Sequence, residues 1–319
     1  MKRRNLIISG GVLATLSLGA TATNASLQDT VKSAADFRAV VGSDPLVYVS
    51  GDTIRAYYPL ENTDQSVQTT DKAEIIGDAD SVIGSSNADV PYTTQKGDVH
   101  ATELKGTANQ LLYDGKTQGS GAKVAKSSSR NAIGEWPPAS FSGNIVLVAD
   151  QNGNILGIDP GGTPTSPSTV TEQIASPGNG CSGIVGVRDI DDDGSVEIVF
   201  IDGSSQLRYL EQDGTTQKVS NGGIGVNNGP GVGLPADFGR GKIEIPFVDG
   251  SNNAALVDYQ GNKTILKSGV AAKSPVAPVD VNGDTVREYV FTDSSAGEVH
   301  YIEDIGGSNT EQTLLAEGS

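Results

Sequence analysis

One six-residue segment, acidic at its start and end and mostly apolar between, recurs along the chain. Glu197-Ile-Val-Phe-Ile-Asp202 returns as Glu244-Ile-Pro-Phe-Val-Asp249 and again as Glu288-Tyr-Val-Phe-Thr-Asp293, at offsets of 47 and 44 residues. Each copy leads through a turn into a second run: Leu207–Glu211, Ala254–Asp258 and Val299–Glu303. A third run follows (Gln217-Lys-Val, Lys263-Thr-Ile-Leu, Gln312-Thr-Leu-Leu), and an apolar-small run precedes each copy (Ile184–Val187, Val232–Leu234, Val276–Pro278). Short β-branched and aromatic runs between Gly, Asn, Asp and Ser clusters are the signature of strands and hairpins. A unit of this kind cannot bury its apolar faces alone, so repetition constrains the fold more than any single motif does.

Weaker copies precede these three. Ile145–Asp150 leads to Ile155–Asp159, Asp89–Thr94 to Val99–Glu103, and Leu46–Ser50 to Ile54–Tyr58. Pro91 falls where Pro246 falls. A small residue marks each first strand at Gly42, Gly84, Gly134, Gly186, Gly233 and Ala277, with gaps of 42, 50, 52, 47 and 44 residues. Six units of four strands predict an all-β fold, a β-propeller of about six four-stranded blades spanning residues 41–319. Glycine suits the innermost strands, where backbones crowd. The Gly/Ser/Lys-rich insert Gly115–Asn131 reads as a surface loop. An open β-solenoid or two small sandwiches are the competing architectures.

Residues 1–25 differ from the rest. Lys2-Arg3-Arg4 is a basic n-region, Leu6–Leu18 an apolar h-region, and Ala20-Thr-Ala22 or Thr23-Asn-Ala25 a cleavage site. Arg3-Arg4-Asn-Leu-Ile7 fits a twin-arginine export signal. The apolar stretch is short for a membrane span, so a membrane is a partner only if this segment stays uncleaved. Ser26–Asp29 reads as a cap opening a short lead-in helix over residues 26–40, with Leu27, Val31, Ala34 and Phe37 on one face. The expected location is secreted or cell-surface.

Charge and composition narrow the function. Net charge is −17, or −20 without the three basic residues of the signal, and such a chain lacks the basic footprint that nucleic acid requires. One cysteine (Cys181) allows no intramolecular disulfide framework, and two histidines with it leave no Cys/His zinc cluster. Any metal is held by oxygens. The acidity also suits a halophilic setting, where salt screens charge within about 3 Å.

Two loops carry oxygens at a regular spacing. Asp189, Asp191, Asp193 and Glu197 stand at positions 1, 3, 5 and 9 between the first and second strands of the fourth unit. Asp280, Asn282, Asp284 and Glu288 do the same in the sixth. A hard cation such as Ca²⁺ takes six to eight oxygens at about 2.3–2.6 Å, and a tight loop of alternating Asp/Asn turns its side chains to one centre. A carbonyl near position 7 (Ser195, Val286) adds another oxygen. Gly194 at position 6 permits the sharp turn, and Thr285 there is less suited to it. The expectation is one Ca²⁺ in the fourth unit and a second in the sixth. The fifth unit, Asp237–Glu244, is one residue short and lacks the inner acids, so it is read as metal-free.

A Gly-containing strand, then D-x-[DN]-x-D-G-x-x-[DE], then an apolar strand, resembles the FG-GAP/VCBS propeller repeats of integrin-like and secreted microbial proteins. Gly186–Phe200 is the better match and Ala277–Phe291 the second. The resemblance implies calcium that stiffens hairpins and ligands that bind on the loops of one face. The acidity and the twin-arginine-like signal add the expectation of an origin in a halophilic archaeon or its virus. No ligand-contact residue carries over.

The remaining candidates read as structural. His100 and His300 hold one equivalent strand position, and Arg55 and Arg208 hold it in other units. The Gly178–Gly183 segment around Cys181 lacks the helix of a nucleophile elbow. Trp136 reads as a core or loop anchor. Asn262-Lys-Thr264 and Asn24-Ala-Ser26 are glycosylation sequons. The expected function is a non-enzymatic surface module binding a protein or glycan. The alternatives are an extracellular polysaccharide hydrolase or lyase with an axial carboxylate pair, and a structural coat or virion component.

Overall fold

Second strands such as Ile198-Val-Phe-Ile201 are apolar at every position, which a sheet allows only when both its faces are covered. Alternate side chains must then enter two different packing layers. The computed structural model shows that arrangement six times over. It describes residues 37–38, 45–50, 53–67, 69, 73–76, 83, 88–94, 96–114, 132–138, 141, 143–163, 166–167, 170–219, 224–225, 231–271, 276–292 and 298–315. The export signal, Gly42, Gly84, the Gly115–Asn131 insert and most of the lead-in helix lie outside them.

The fold is an all-β propeller of six four-stranded blades, each an antiparallel sheet of strands consecutive in sequence apart from a short inserted hairpin in the third. The first blade is Phe37–Arg38, Leu46–Ser50, Thr53–Tyr58 and Thr63–Ser66; the second is Ala73–Ile76, Asp89–Thr94, Val99–Glu103 and Asn109–Tyr113. The third is Ala132–Glu135, Asn144–Ala149, Ile155–Asp159 and Val170–Ala175, with the hairpin Gly162–Thr163/Ser166–Pro167 before its outer strand. The fourth is Cys181–Arg188, Glu197–Asp202, Gln206–Leu210 and Thr216–Lys218, with Ile224–Gly225 also pairing its third strand. The fifth is Ala236–Asp237, Ile243–Val248, Asn253–Val257 and Lys263–Ser268; the sixth is Val276–Val279, Glu288–Thr292, Val299–Glu303 and Thr310–Leu315.

Phe37, expected on a helical face, pairs as a strand with Tyr48, and no helix occurs among the described residues. In the second blade the first strand is Ala73–Ile76, so Gly84 falls after it rather than within it.

The core is a set of interblade layers. Ile198 and Phe200 pack with third-blade residues such as Leu147, while Val199 and Ile201 pack with fifth-blade residues such as Phe247. Equivalent layers join the first blade to the second, the second to the third and the fifth to the sixth. The ring closes where Leu46, Tyr48 and Tyr57 of the first blade meet Ala277, Val279 and Val290 of the sixth. The inner-strand glycines make these layers fit. A Cβ on Gly134 would meet Val187 of the next blade at 2.6 Å, one on Gly186 would meet Pro235 of the next at 2.8 Å, and one on Gly233 would meet the Val276 carbonyl at 2.7 Å.

The acid that ends the second strand pins the hairpin after it. Asp202 Oδ1 accepts the N–H groups of Ser204 and Gln206. Asp150 and Asp249 do the same for Asn152/Asn154 and Ser251/Asn253. Asp202 also pairs with Arg208, its own side chain fully buried. Burial raises the Asp202 carboxyl, but these donors outweigh it and hold the group below its usual range. Replacing Asp202 with Ala is expected to cost about 3 kcal/mol, read as a lower urea midpoint, because it orphans two N–H groups and a guanidinium.

Candidate metal centre

Asp189 opens the fourth-blade loop as a nest for its backbone: Oδ1 accepts the Asp193 N–H at 3.2 Å and Oδ2 the Gly194 N–H at 3.0 Å. The chain takes left-handed conformations at Asp192 (φ 63°) and Gly194 (φ 90°), which fold the loop back on itself. Glu197, the first residue of the next strand, is 0 % exposed and accepts the Ile190 N–H on Oε2 at 2.9 Å.

The result is a convergence of negative charge. One carboxylate oxygen from each of Asp189, Asp191 and Glu197 lies within 4.8 Å of the others. Glu197 Oε1 and Asp191 Oδ1 are buried and have no hydrogen-bond partner. Burial, and then the neighbouring Asp191, Glu211 and Asp189 charges, push the Glu197 carboxyl up to about 7, although the Ile190 N–H opposes the rise. Asp191 is raised by burial and by Asp193 and Asp189. A buried acceptor left unmatched is costly, and one small cation would match both orphaned oxygens. The donor set is all oxygen, which suits Ca²⁺. Asp193 is not among the converging carboxylates: it is exposed, and its Oδ1 accepts the Ser195 N–H at 2.7 Å. Glu211, at the end of the third strand, joins the electrostatic cluster, for burial and the Asp191 and Asp193 charges raise its carboxyl. Its signal in the sequence is an acid recurring at or just past the end of every third strand but the first, as Glu103, Asp159, Asp258 and Glu303.

The sixth-blade loop follows the same path with different satisfaction. Asp280 accepts the Gly283 and Thr285 N–H groups at 2.6 and 3.0 Å. The left-handed residues are Gly283 (φ 81°) and Thr285 (φ 73°), so the glycine has moved to position 4 and a β-branched residue carries the strain at position 6. Glu288 is 3 % exposed; its Oε2 accepts the Val281 N–H at 2.7 Å and its Oε1 the Asn282 amide at 3.1 Å. Asn282 and Asp284 are exposed, and Asp284 Oδ1 accepts the Val286 N–H. Burial still pushes the Glu288 carboxyl up to about 7. Among the described residues, Asp280, Asp284 and Glu288 do not form a second convergent group.

These loops share one side of the ring with the hairpin turns of the following blade. Asp189 and Asp191 wall a cleft of about 390 Å³ whose far side is Lys242, Asp258, Tyr259 and Gln260 of the fifth blade. A second cleft, of about 510 Å³, lies between Phe238 and Gly239 of the fifth blade and Glu303 and Asp304 of the sixth.

No protein-family model and no curated protein matches the chain. Solved structures do. AofleA from Arthrobotrys oligospora superposes with a TM-score of 0.56 at 11% identity, covering 88% of this chain and 86% of that one. The SapL1 lectin in complex with alpha methyl fucoside gives a TM-score of 0.50 at 15% identity, over 90% of this chain and 98% of that one. BBS1N in complex with ARL6DN gives 0.50 at 13%, over 83% and 76%. At these identities the likeness is one of fold alone.

The other side chains singled out in the sequence have structural placements. His100 stacks on Tyr92 at 5.1 Å and His300 packs against Phe291 at 5.7 Å, in the second and sixth blades. His300 also touches Glu298 and Glu311; the Glu311 contact is an ion-pair distance without hydrogen-bond alignment. Cys181 is buried, and burial pushes its thiol up to about 12. Trp136 is buried in the layer between the third and fourth blades.

Proposed function

We propose that this chain is an exported, calcium-stabilised β-propeller, of the kind its FG-GAP/VCBS-like loops suggest. It acts as a non-enzymatic glycan-binding module at a cell or virion surface. The observation that carries the reading is the wall shared between the fourth-blade carboxylates and the cleft beside Tyr259. Ca²⁺ held by Asp189, Asp191 and Glu197 would offset most of the charge of these three carboxylates and fix that wall. Tyr259 offers the open part of a partly buried ring against which an apolar sugar face can lie, and Gln260, whose amide donates to Tyr259 Oη at 2.9 Å, an exposed hydrogen-bonding edge beside it. The propeller lectin solved with alpha methyl fucoside supports the ligand class. The basic-apolar N-terminus and the acidity of the chain support export into a salty exterior.

A glycan array probed with and without chelator tests this. The expected result is a defined set of retained glycans, lost in chelator, with affinity about tenfold weaker in Tyr259→Ala. Cleavage of a polysaccharide, or an array without retained glycans alongside capture of a protein partner, would overturn it.

A further inference from the structure

The acid that begins the second strand is buried in four blades: Asp89, Glu197 and Glu244 are 0 % exposed and Glu288 3 %. In the second, fourth and sixth blades it accepts a loop N–H, from Ile83, Ile190 or Val281. The fifth blade solves the charge differently. Arg240 Nη1 lies 3.0 and 3.2 Å from the two Glu244 oxygens, and Lys242 Nζ lies 3.2 Å from Glu244 Oε1 and 2.9 Å from Asp258 Oδ2. Asp258 is itself only 7 % exposed.

The loop that presents these cations keeps the plan of its neighbour. Asp237 Oδ1 accepts the Arg240 and Gly241 N–H groups at 2.9 and 3.1 Å, as Asp189 accepts those of Asp193 and Gly194. Two left-handed residues two positions apart, Gly239 (φ 77°) and Gly241 (φ 67°), shape the turn. The fifth loop is therefore a cation loop in backbone path, with two side-chain cations beside its buried carboxylate.

We propose that Arg240 and Lys242 are a tethered replacement for a divalent cation, and that the fifth-blade loop is a latent cation site which these side chains keep filled. The proposal rests on the calcium reading of the fourth blade for its analogy, while its own evidence is the ion pairs on Glu244. Removing both cations leaves the Glu244 and Asp258 carboxylates, which share Lys242 Nζ at 3.2 and 2.9 Å, facing the space that the ammonium held, where one divalent cation can bridge them.

The test compares wild type, Arg240→Met/Lys242→Met, and the same pair with Glu244→Gln. Readouts are Ca²⁺ stoichiometry by titration calorimetry and melting in chelator or excess Ca²⁺. The double variant is expected to bind one more Ca²⁺ than wild type. It should melt about 6–10 °C lower in chelator and recover in Ca²⁺. The triple variant should return to the wild-type stoichiometry and lose that added dependence. A double variant that takes up no additional ion, or that melts like wild type in chelator, would overturn the proposal. Wild type binding no ion while the double variant binds one would sink the fourth-blade reading and leave this one standing. If the double variant yields no folded protein, the triple variant decides: recovery through Glu244→Gln upholds the tethered cations, and failure to recover rejects them.

Discussion

Gly233→Val is expected to lower stability by about 3 kcal/mol, among the largest effects of any single substitution in the inner ring. The added Cβ would sit 2.7 Å from the Val276 carbonyl oxygen and 2.9 Å from Pro246 Cγ. A backbone carbonyl in the neighbouring blade cannot rotate out of the way, so the fifth and sixth blades must separate. The layer between them holds Tyr289 and Phe291, both fully buried, and the hydrogen bond from Tyr289 Oη to the Phe247 carbonyl. Gly186→Val meets side-chain atoms of Leu234 and Pro235 instead and should cost less. Gly250→Ala is the control, because nothing lies within 4 Å of its added Cβ. Urea unfolding of the three variants checks the ranking. A Gly233→Val midpoint equal to wild type would mean that the inner strands do not touch as described.

The second large effect is on the metal-free protein. Glu197 and Glu288 are pushed from an ordinary 4.5 up to about 7 in the folded chain, mainly by burial. The folded state then holds these protons more tightly than the unfolded state does. Stability contributed by the neutral groups is complete below pH 4.5 and lost as pH rises through about 7. In chelator, stability should therefore fall between about pH 5 and 8 by roughly 3 kcal/mol for each carboxylate, read as a falling melting temperature. Excess Ca²⁺ should remove the Glu197 share of the slope, since an ion held by Asp189, Asp191 and Glu197 would stabilise the ionised form, and leave the Glu288 share. Glu197→Gln should remove roughly half of the slope and weaken the calcium response. A flat profile in chelator would show that the two carboxylates are not strained by burial. Asp202 and Asp258, held below their usual range, and Asp249, held down to about 2, act in a separate window below pH 4. For all three, burial opposes the shift and hydrogen bonds from lysine, arginine or backbone groups outweigh it.

The repeat was legible because the second strand is buried on both faces and cannot vary freely. Asp89–Thr94, Leu46–Ser50 and Glu197–Asp202 stand where their sequence places them. First strands were harder to place. They are short and partly glycine, and in the first two blades the pairing segments Phe37–Arg38 and Ala73–Ile76 stand well before the strands they join. The loop acids were legible by spacing, but spacing does not say which oxygen is satisfied from within. Asp193 turned to its own loop backbone, and Asn282 donated its amide to Glu288. Arg240 and Lys242 were visible as two cations in an acidic chain. Their meaning depends on Glu244 being buried against them, which no local pattern reports.

The path of the chain around the ring has a consequence for how it folds and breathes. Most contacts of each blade are local in sequence, and most interblade layers join segments about 45 residues apart. The layer joining Leu46 to Ala277 alone spans 231 positions. Among the described residues no strand crosses that seam, and the side chains of the first and sixth blades pack across it. Loop-closure entropy grows slowly with length, and drawing the seam together costs only about 1–2 kcal/mol more than docking one blade on the next. Closure can thus come last without a large barrier. An opened ring would be an arc with five of its layers intact, and its exposed flanks would be those of the first and sixth blades.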